Sequence, residues 1–306
     1  MNILLVAEES AGNRVLRRLA SGPHNVVAVL AAPPTTGGGA TAGQTAESLG
    51  LPLLPSERVR EPDFAAWIRD HAVDLLLNVH SLFVICPEVV EAPRIGGFNL
   101  HPGPLPRYAG LNAPSWAIYE GETTHAVTLH WLEPGIDTGA IAFEQRFPIS
   151  EDDTGLSLSA RCVREGLPLI DELLTTIERG DEIPARPQDL RSRRYFGRRP
   201  PQDGRISWSA PAREIVNFVR AADYSPFPSP WGHPTAWLEP REVGIVRSEL
   251  TGLPATAPPG TIGKATGGTA TVAAADEWVL LKRLHVAGRY VSADSCLAAG
   301  HRLDDG

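Results

Sequence analysis

The strongest constraint on how this chain folds is a unit repeated through its first half. A short, continuous apolar run is followed by an amphipathic stretch at helical spacing, and then by another apolar run. Ile3–Ala7 is apolar throughout, as a strand buried on both faces of a parallel sheet must be. Asn13–Leu19 sets Val15, Leu16 and Leu19 on one side of a helix and Arg14, Arg17 and Arg18 on the other. Val26–Ala31 repeats the buried strand, 33–43 reads as loop, Thr45–Leu49 as a short helix and Leu51–Leu54 as a third strand. Phe64–His71 then reads as a helix, and Asp74–Val79, Gly97–His101 and Ala126–Trp131 as strands. Strands alternating with helices need crossover connections, which predicts an open, mostly parallel α/β sheet.

Such a sheet binds its ligand at the carboxyl ends of its strands. The turn after the first strand reads Glu8-Glu9-Ser10-Ala11-Gly12-Asn13, with two acids and no glycine-rich phosphate cradle. Those acids would repel a pyrophosphate, and the glycines at 37–39 precede no clear helix, so nucleotide binding is disfavoured. A net charge of −8 argues against a protein whose main task is gripping nucleic acid, since phosphate neutralisation supplies most of that affinity. Cys86, Cys162 and Cys296 are too few and too dispersed for a disulfide framework or a zinc cage. The start, apolar at once with no basic region before it, reads as a strand rather than a signal peptide. No apolar run has membrane-spanning length; Leu75–Val90 is broken by Asn78, His80 and Pro87. The expectation is a soluble, cytoplasmic protein with no membrane partner.

At 306 residues, and roughly 150 per domain, the chain has room for about two domains. From Asp153 or Thr154 the spacing of Leu156, Val163, Leu167, Ile170, Leu173, Leu174 and Ile177 predicts a helix ending near Gly180, with a kink or break at Pro168. An arginine-dense stretch follows, Arg186 to Pro201. It reads as a linker or brace, since charge runs are usually solvated, with a phosphate-binding strip as the alternative. Beyond it a helix at Ala212–Ala221 precedes the β-like runs Pro234–Leu238, Val243–Arg247, Gly260–Ile262, Thr269–Ala273 and Trp278–Leu284. Short strands separated by Gly and Pro predict a small open β-barrel.

One segment carries chemistry: Gly97-Phe-Asn-Leu-His-Pro-Gly-Pro-Leu-Pro-Arg-Tyr-Ala-Gly110. Strand alternation puts Asn99 and His101 on one face, and the prolines break the chain into a rigid loop where an open α/β sheet keeps its site. An amide donor beside an imidazole suits acyl transfer, as polariser of an oxyanion and as base. Taken alone, the pair reads more readily as a turn-capping Asn and a satisfied buried His than as a site. The strand Ala126–Trp131 and the Gly-flanked loop Glu133-Pro-Gly-Ile-Asp137-Thr-Gly139 add a carboxylate that can be aimed at His101, orienting the ring and raising its pKa.

Together, N-x-H-P-x-x-L-P-x-Y-x-G and the later G-x-D-T-G make the segment from about Gly96 to Ile141 resemble the 10-formyltetrahydrofolate-dependent formyltransferases. Arg194-Tyr-Phe, Arg199-Pro, Asp203-Gly-Arg-Ile-Ser-Trp208 and Ile215…Val219-Arg220-Ala221 are similar to that family's linker and opening C-terminal helix. The resemblance implies a Rossmann-like catalytic domain (1–185), an Arg-rich linker (186–203) and an OB-like β-barrel domain (204–306). It implies Asn99, His101 and Asp137 as the catalytic residues, 10-formyltetrahydrofolate as co-substrate, and no metal. Leu82, Phe83, Val84 and Ile85 would line the pterin pocket on one side, with Glu133, Gly135 and Ile136 on the other, largely through backbone.

The acceptor is narrowed by a departure from the tRNA-modifying members, which the resemblance credits with a basic loop after the second strand. No Lys or Arg occurs between Arg18 and Arg58 in this chain, so those phosphate contacts are missing. Tyr108-Ala-Gly-Leu-Asn112-Ala-Pro-Ser-Trp and Tyr224-Ser-Pro-Phe-Pro-Ser-Pro-Trp-Gly232 are similar to members acting on carrier-protein-bound or free amino acids in natural-product biosynthesis. That likeness implies Tyr108 and Asn112 as substrate contacts and a small-molecule or carrier-bound amine as partner. The alternatives are a methionyl-tRNA formyltransferase, a sugar-nucleotide N-formyltransferase or formate-releasing hydrolase, and a folate-binding module without catalysis. Nucleic acid is disfavoured, with tRNA not excluded.

Overall fold

A computed structural model describes residues 1–32 and 41–305. The chain divides into two compact units, the first comprising Met1–Gly110, Ala126–Phe147 and Arg161–Tyr195, the second Leu111–His125, Pro148–Ala160 and Phe196–Gly306. In chain order the elements up to β9 are β1 (Asn2–Ala7), α1 (Glu9–Ala20), β2 (Asn25–Leu30), α2 (Ala42–Ser48), β3 (Leu53–Leu54), α3 (Phe64–Asp70), β4 (Leu75–Val79), α4 (Pro87–Val90), β5 (Gly96–His101), β6 (Ala109–Gly110), α5 (Ala113–Tyr119), β7 (Thr124–Trp131), β8 (Ile141–Pro148), α6 (Gly155–Arg179) and β9 (Tyr195–Phe196).

The sheet of the first unit has seven strands in the order β3-β2-β1-β4-β5-β7-β8. The first five pair in parallel, and β7 joins β5 antiparallel. This is the Rossmann-like, mostly parallel sheet expected, with its order reversing between β1 and β4. The apolar runs are buried because both sheet faces are covered: Ile3–Ala7 and Leu75, Leu76, Leu77 and Val79 have no exposed surface. Val15, Leu16 and Leu19 of α1 are buried as the helical spacing predicted, each worth about 1.5–3 kcal/mol of transfer free energy. Glu8, at the turn after β1, has its carboxylate engaged: it accepts from the Ala32 N–H at 3.1 Å and the Ser56 hydroxyl at 2.7 Å.

One row across the sheet positions the site. Asn78 on β4 is register partner to Asn99 on β5, and Asn99 to His130 on β7, so three polar side chains stand side by side across three neighbouring strands.

Three differences from the sequence reading have physical reasons. Helix α6 runs from Gly155 to Arg179 through Pro168 without a break; a single missing N–H is tolerated within 25 residues. Strand β8 was not foreseen, because Glu144, Gln145 and Arg146 interrupt its apolar character at an edge. Helix α5 begins at Ala113 after Asn112, whose left-handed backbone (φ +57°) stands where a side-chain cap would be. The glycines 37–39 and the rest of 33–40 lie outside the described residues.

The second unit contains α7 (Ala212–Ala221), β10 (Thr235–Leu238), β11 (Arg241–Pro254), β12 (Ile262–Thr266), β13 (Thr269–Ala273), β14 (Glu277–Val286), β15 (Arg289–Ser292) and β16 (Asp304–Asp305). They form an antiparallel sheet ordered β12-β13-β14-β11-β10-β16, with β15 on β14. The sheet curls until its ends share one segment. Ile262 donates to His301 and Leu303 to Gly260 beside β12, while Asp304 and Asp305 pair with β10. This is the small barrel-like domain the short strands predicted. Among the described residues no helix is long and apolar enough to cross a membrane.

Candidate active site

Strands β4, β5 and β7 bring Asn78, Asn99 and His130 together, and their side chains are bonded in series. The Asn78 Nδ2 donates to Asn99 Oδ1 at 2.9 Å, which turns the Asn99 Nδ2 the other way, towards His130 Nε2 (3.0 Å) and Asp137 Oδ1 (3.2 Å). His130 is held by its own Nδ1, which donates to the Trp131 carbonyl at 2.8 Å and leaves Nε2 to accept. Asn78, Asn99, His101 and His130 are all buried.

His101 lies two residues beyond Asn99 on the same face. Its Nε2 donates to the Tyr108 carbonyl at 2.6 Å, so the neutral ring keeps its lone pair on Nδ1. That Nδ1 faces Asp137 Oδ2 at 3.6 Å. Asp137 Oδ2 in turn accepts from the Gly110 N–H at 2.7 Å. The structure therefore brings Asn99 and His101, at the end of β5, together with Asp137 from the loop that follows β7. The tautomer of His101, however, is set by a main-chain carbonyl and not by the carboxylate.

Burial is the largest influence on His101 and pushes its pKa down. Asp137 and the Tyr108 carbonyl pull upwards, and His130 and His80 add to the fall. Asp137 thus acts in the direction expected, but desolvation of the enclosed ring outweighs the single carboxylate and the net shift is downward. Burial is likewise the largest influence on Asp137, opposing its charge. The charge that His101 acquires in acid, the neighbouring His130, whose Nε2 lies 3.5 Å from Asp137 Oδ1, and the Gly110 N–H outweigh it, and the carboxyl is held far below its usual range. At neutral pH the site thus presents a carboxylate and a neutral imidazole whose two lone pairs face each other. A proton delivered to Nδ1 would meet the Asp137 carboxylate, and a ring that is neutral at neutral pH with a free lone pair can act as a general base.

The Asp137 loop depends on tight backbone. Asp137 itself is left-handed, at φ +54°, and Gly135 sits at φ +122°. Gly139 approaches the Trp131 carbonyl so closely that any Cβ would overlap it, which accounts for the last residue of the D-T-G motif.

The residues expected along a pterin pocket divide by alternation. Leu82 and Val84 are 62% and 61% exposed, whereas Phe83 and Ile85 pack against the core beneath the sheet. On the other side Glu133, Gly135 and Ile136 are exposed, Ile136 by 39%. Tyr108 differs from its expected part as a substrate contact: its ring is 1% exposed, and what it gives the site is its carbonyl. Asn112 belongs to the second unit. Asn78, His130 and Gln188 (which bonds the Asp137 loop) were not singled out from sequence. Only strand register, unreadable without the pairing partner, distinguishes the first two.

An open α/β sheet with an amide, an imidazole and a carboxylate converging at its strand ends has the groups that acyl or formyl transfer uses. Residues 1–170 match the family model described as Formyl transferase, and residues 199–302 match Formyl transferase, C-terminal domain. The chain belongs to the formyl transferase family and is a formyltransferase. A methionyl-tRNA formyltransferase of Synechococcus sp. (strain JA-3-3Ab) is 31% identical over 266 residues, covering 84% of this chain and 80% of the relative. One from Sorangium cellulosum (strain So ce56) is 32% identical over 267 residues, covering 84% and 81%. The solved N-formyltransferase of Helicobacter canadensis, in complex with folinic acid and dTDP-3-aminofucose, shares the fold with a TM-score of 0.66 at 19% identity, covering 92% of this chain and 99% of that one.

Proposed function

We propose that this enzyme transfers the formyl group of 10-formyltetrahydrofolate to the amine of a small-molecule or carrier-protein-bound amino acid in natural-product biosynthesis. The observation that carries the reaction is the meeting of His101 Nδ1 with Asp137 Oδ2 at 3.6 Å, beside the Asn99 Nδ2. The amine nitrogen attacks the formyl carbon, a C–N bond forms, and charge develops on the carbonyl oxygen. Asn99 shares an Nδ2 hydrogen with that oxygen. His101 Nδ1 takes the amine's proton, and Asp137 stabilises the resulting imidazolium. When the bond from the formyl carbon to N10 breaks, that proton passes to N10, leaving a formamide and tetrahydrofolate. The exposed Leu82, Val84 and Ile136 suit the flat apolar faces of a pterin, while Glu133 and Gly135 offer backbone to its polar edge.

The acceptor assignment rests on the absence of any Lys or Arg between Arg18 and Arg58, together with the net charge of −8. A second reading, methionyl-tRNA as acceptor, is favoured by the names of the relatives that are 31% and 32% identical. Incubation with 10-formyltetrahydrofolate and a panel of acceptors separates them: charged initiator tRNA, free and hydroxylated amino acids, aminoacyl carrier proteins and sugar nucleotides. Formylation of an amino acid or aminoacyl carrier is the expected result. Formylation of initiator tRNA alone would overturn the acceptor assignment and leave the chemistry standing.

A further inference from the structure

The arginine-dense stretch after α6 carries no motif and invites the reading of a linker, yet its first part is tied to both loops of the site. The Trp131 indole N–H donates to the Pro184 carbonyl at 2.9 Å, and Arg186 and Ile141 exchange backbone bonds at 2.8 and 3.0 Å. Gln188 Nε2 donates to the carbonyls of Asp137 at 3.0 Å and Gly139 at 2.6 Å. Arg193 Nη2 donates to the Ile136 carbonyl at 2.8 Å. The Arg194 N–H donates to Pro106 at 3.2 Å, and its carbonyl accepts from Ala109 at 3.0 Å. Residues 184–194 therefore join the loop bearing Asp137 to the loop that supplies the Tyr108 carbonyl and the Gly110 N–H.

We propose that Gln188, seconded by Arg193, is a positioning residue for formyl transfer: it holds the backbone of the Asp137 loop so that the carboxylate faces His101. One amide nitrogen spends both of its hydrogens on the carbonyls of Asp137 and Gly139, while Arg193 holds the carbonyl of Ile136, so the peptide planes before and after Asp137 are both fixed. Asp137, between them, adopts a left-handed backbone that few non-glycine residues hold unaided. The orientation of the Gln188 amide is dictated by that loop, because its Oε1 is buried with no hydrogen-bond partner. Turning the amide over would set its oxygen against two carbonyls. The Arg193 Nε is buried and unbonded in the same way, so its guanidinium too is placed by the Ile136 carbonyl.

The proposal rests on the reading of Asp137 as the partner of His101, and the test separates the two. Gln188→Met keeps the shape and removes the donor; Gln188→Lys restores a donor of similar reach. Single-turnover formyl transfer is measured for each, alone and combined with Asp137→Ala. Expected are a 10- to 100-fold (roughly) lower rate in Gln188→Met, substantial recovery in Gln188→Lys, and no further loss from Gln188→Met once Asp137 is gone. A Gln188→Met rate within about twofold of wild type, or the same penalty persisting in the Asp137→Ala background, would overturn the assignment of Gln188. An Asp137→Ala enzyme at wild-type rate would instead overturn the reading of the site. Should Gln188→Met fail to fold, Arg193→Met enters the same cycle with the same expectations.

Discussion

Replacing Asn78 by aspartate tests whether the row of amides orients Asn99. In the wild type Asn99 makes three bonds: it accepts from Asn78 at 2.9 Å and donates to His130 at 3.0 Å and Asp137 at 3.2 Å. Flipping its amide forfeits all three and turns an oxygen onto a carboxylate. At about 1 kcal/mol for each neutral bond and about 1.5–3 for the charged one, the flipped form lies roughly 3.5–5 kcal/mol higher and is scarcely populated. An aspartate at 78 is buried beside Asn99, so desolvation raises its pKa. While protonated, its O–H donates to Asn99 Oδ1 and does the work of the native amide. Once ionised, it repels that oxygen and recruits the Asn99 Nδ2, erasing most of the preference. Release of tetrahydrofolate, followed by absorbance across pH, should then show a rate that falls as pH rises, by about 10- to 100-fold, towards the cost of removing an oxyanion donor. Asn78→Ala is the control: it lowers stability by about 1–3 kcal/mol by leaving a buried oxygen unpaired, with the wild-type profile kept. An aspartate variant that is folded and follows the wild-type pH profile would refute the orienting role of Asn78.

The wild-type rate should hold through neutral pH and fall only below about 6.5, as His101 takes up a proton at its depressed pKa and ceases to be a base. Because burial lowers that pKa in the folded state, the same protonation destabilises the fold. Stability is retained above about 6.5 and lost as pH descends through the folded value, so the unfolding midpoint should drop less steeply in His101→Gln than in wild type. If an acidic aminoacyl carrier docks on the arginines after α6, the exposed Arg198 and Arg199 are the place to probe it, since Arg193 is occupied with the Ile136 carbonyl. Reversing both charges to Glu should slow transfer to an aminoacyl carrier by roughly tenfold and spare a free amine. Equal rates for the carrier would dismiss that surface.

How much of this was legible in the sequence depended on whether the cause was local. Continuous apolar runs identified β1, β2 and β4, because burial on both faces leaves a mark in the strand itself. Asn99 and His101 were legible from alternation and the proline break that follows, and Asp137 from its glycine frame. His130 and Asn78 were hidden because their importance comes from register with Asn99 across β7 and β4, which only the folded sheet defines. Gln188 was hidden for a further reason: it acts on carbonyls, which every residue carries, so nothing in Asp137-Thr-Gly139 advertises a partner 51 residues away. Strand β8 escaped because its exposed middle is charged, and α6 continued through a proline that local rules would have made its end.

The loop from Pro102 to Gly110 serves His101 and Asp137 with a carbonyl and an N–H, not with side chains. Its reach to both groups therefore depends on how many residues it spans as well as on the buried Leu105, Tyr108 and Ala109 that seat it. Inserting or deleting one residue there would swing both groups out of reach, so among kindred sequences the count of residues between the histidine and that glycine should stay fixed.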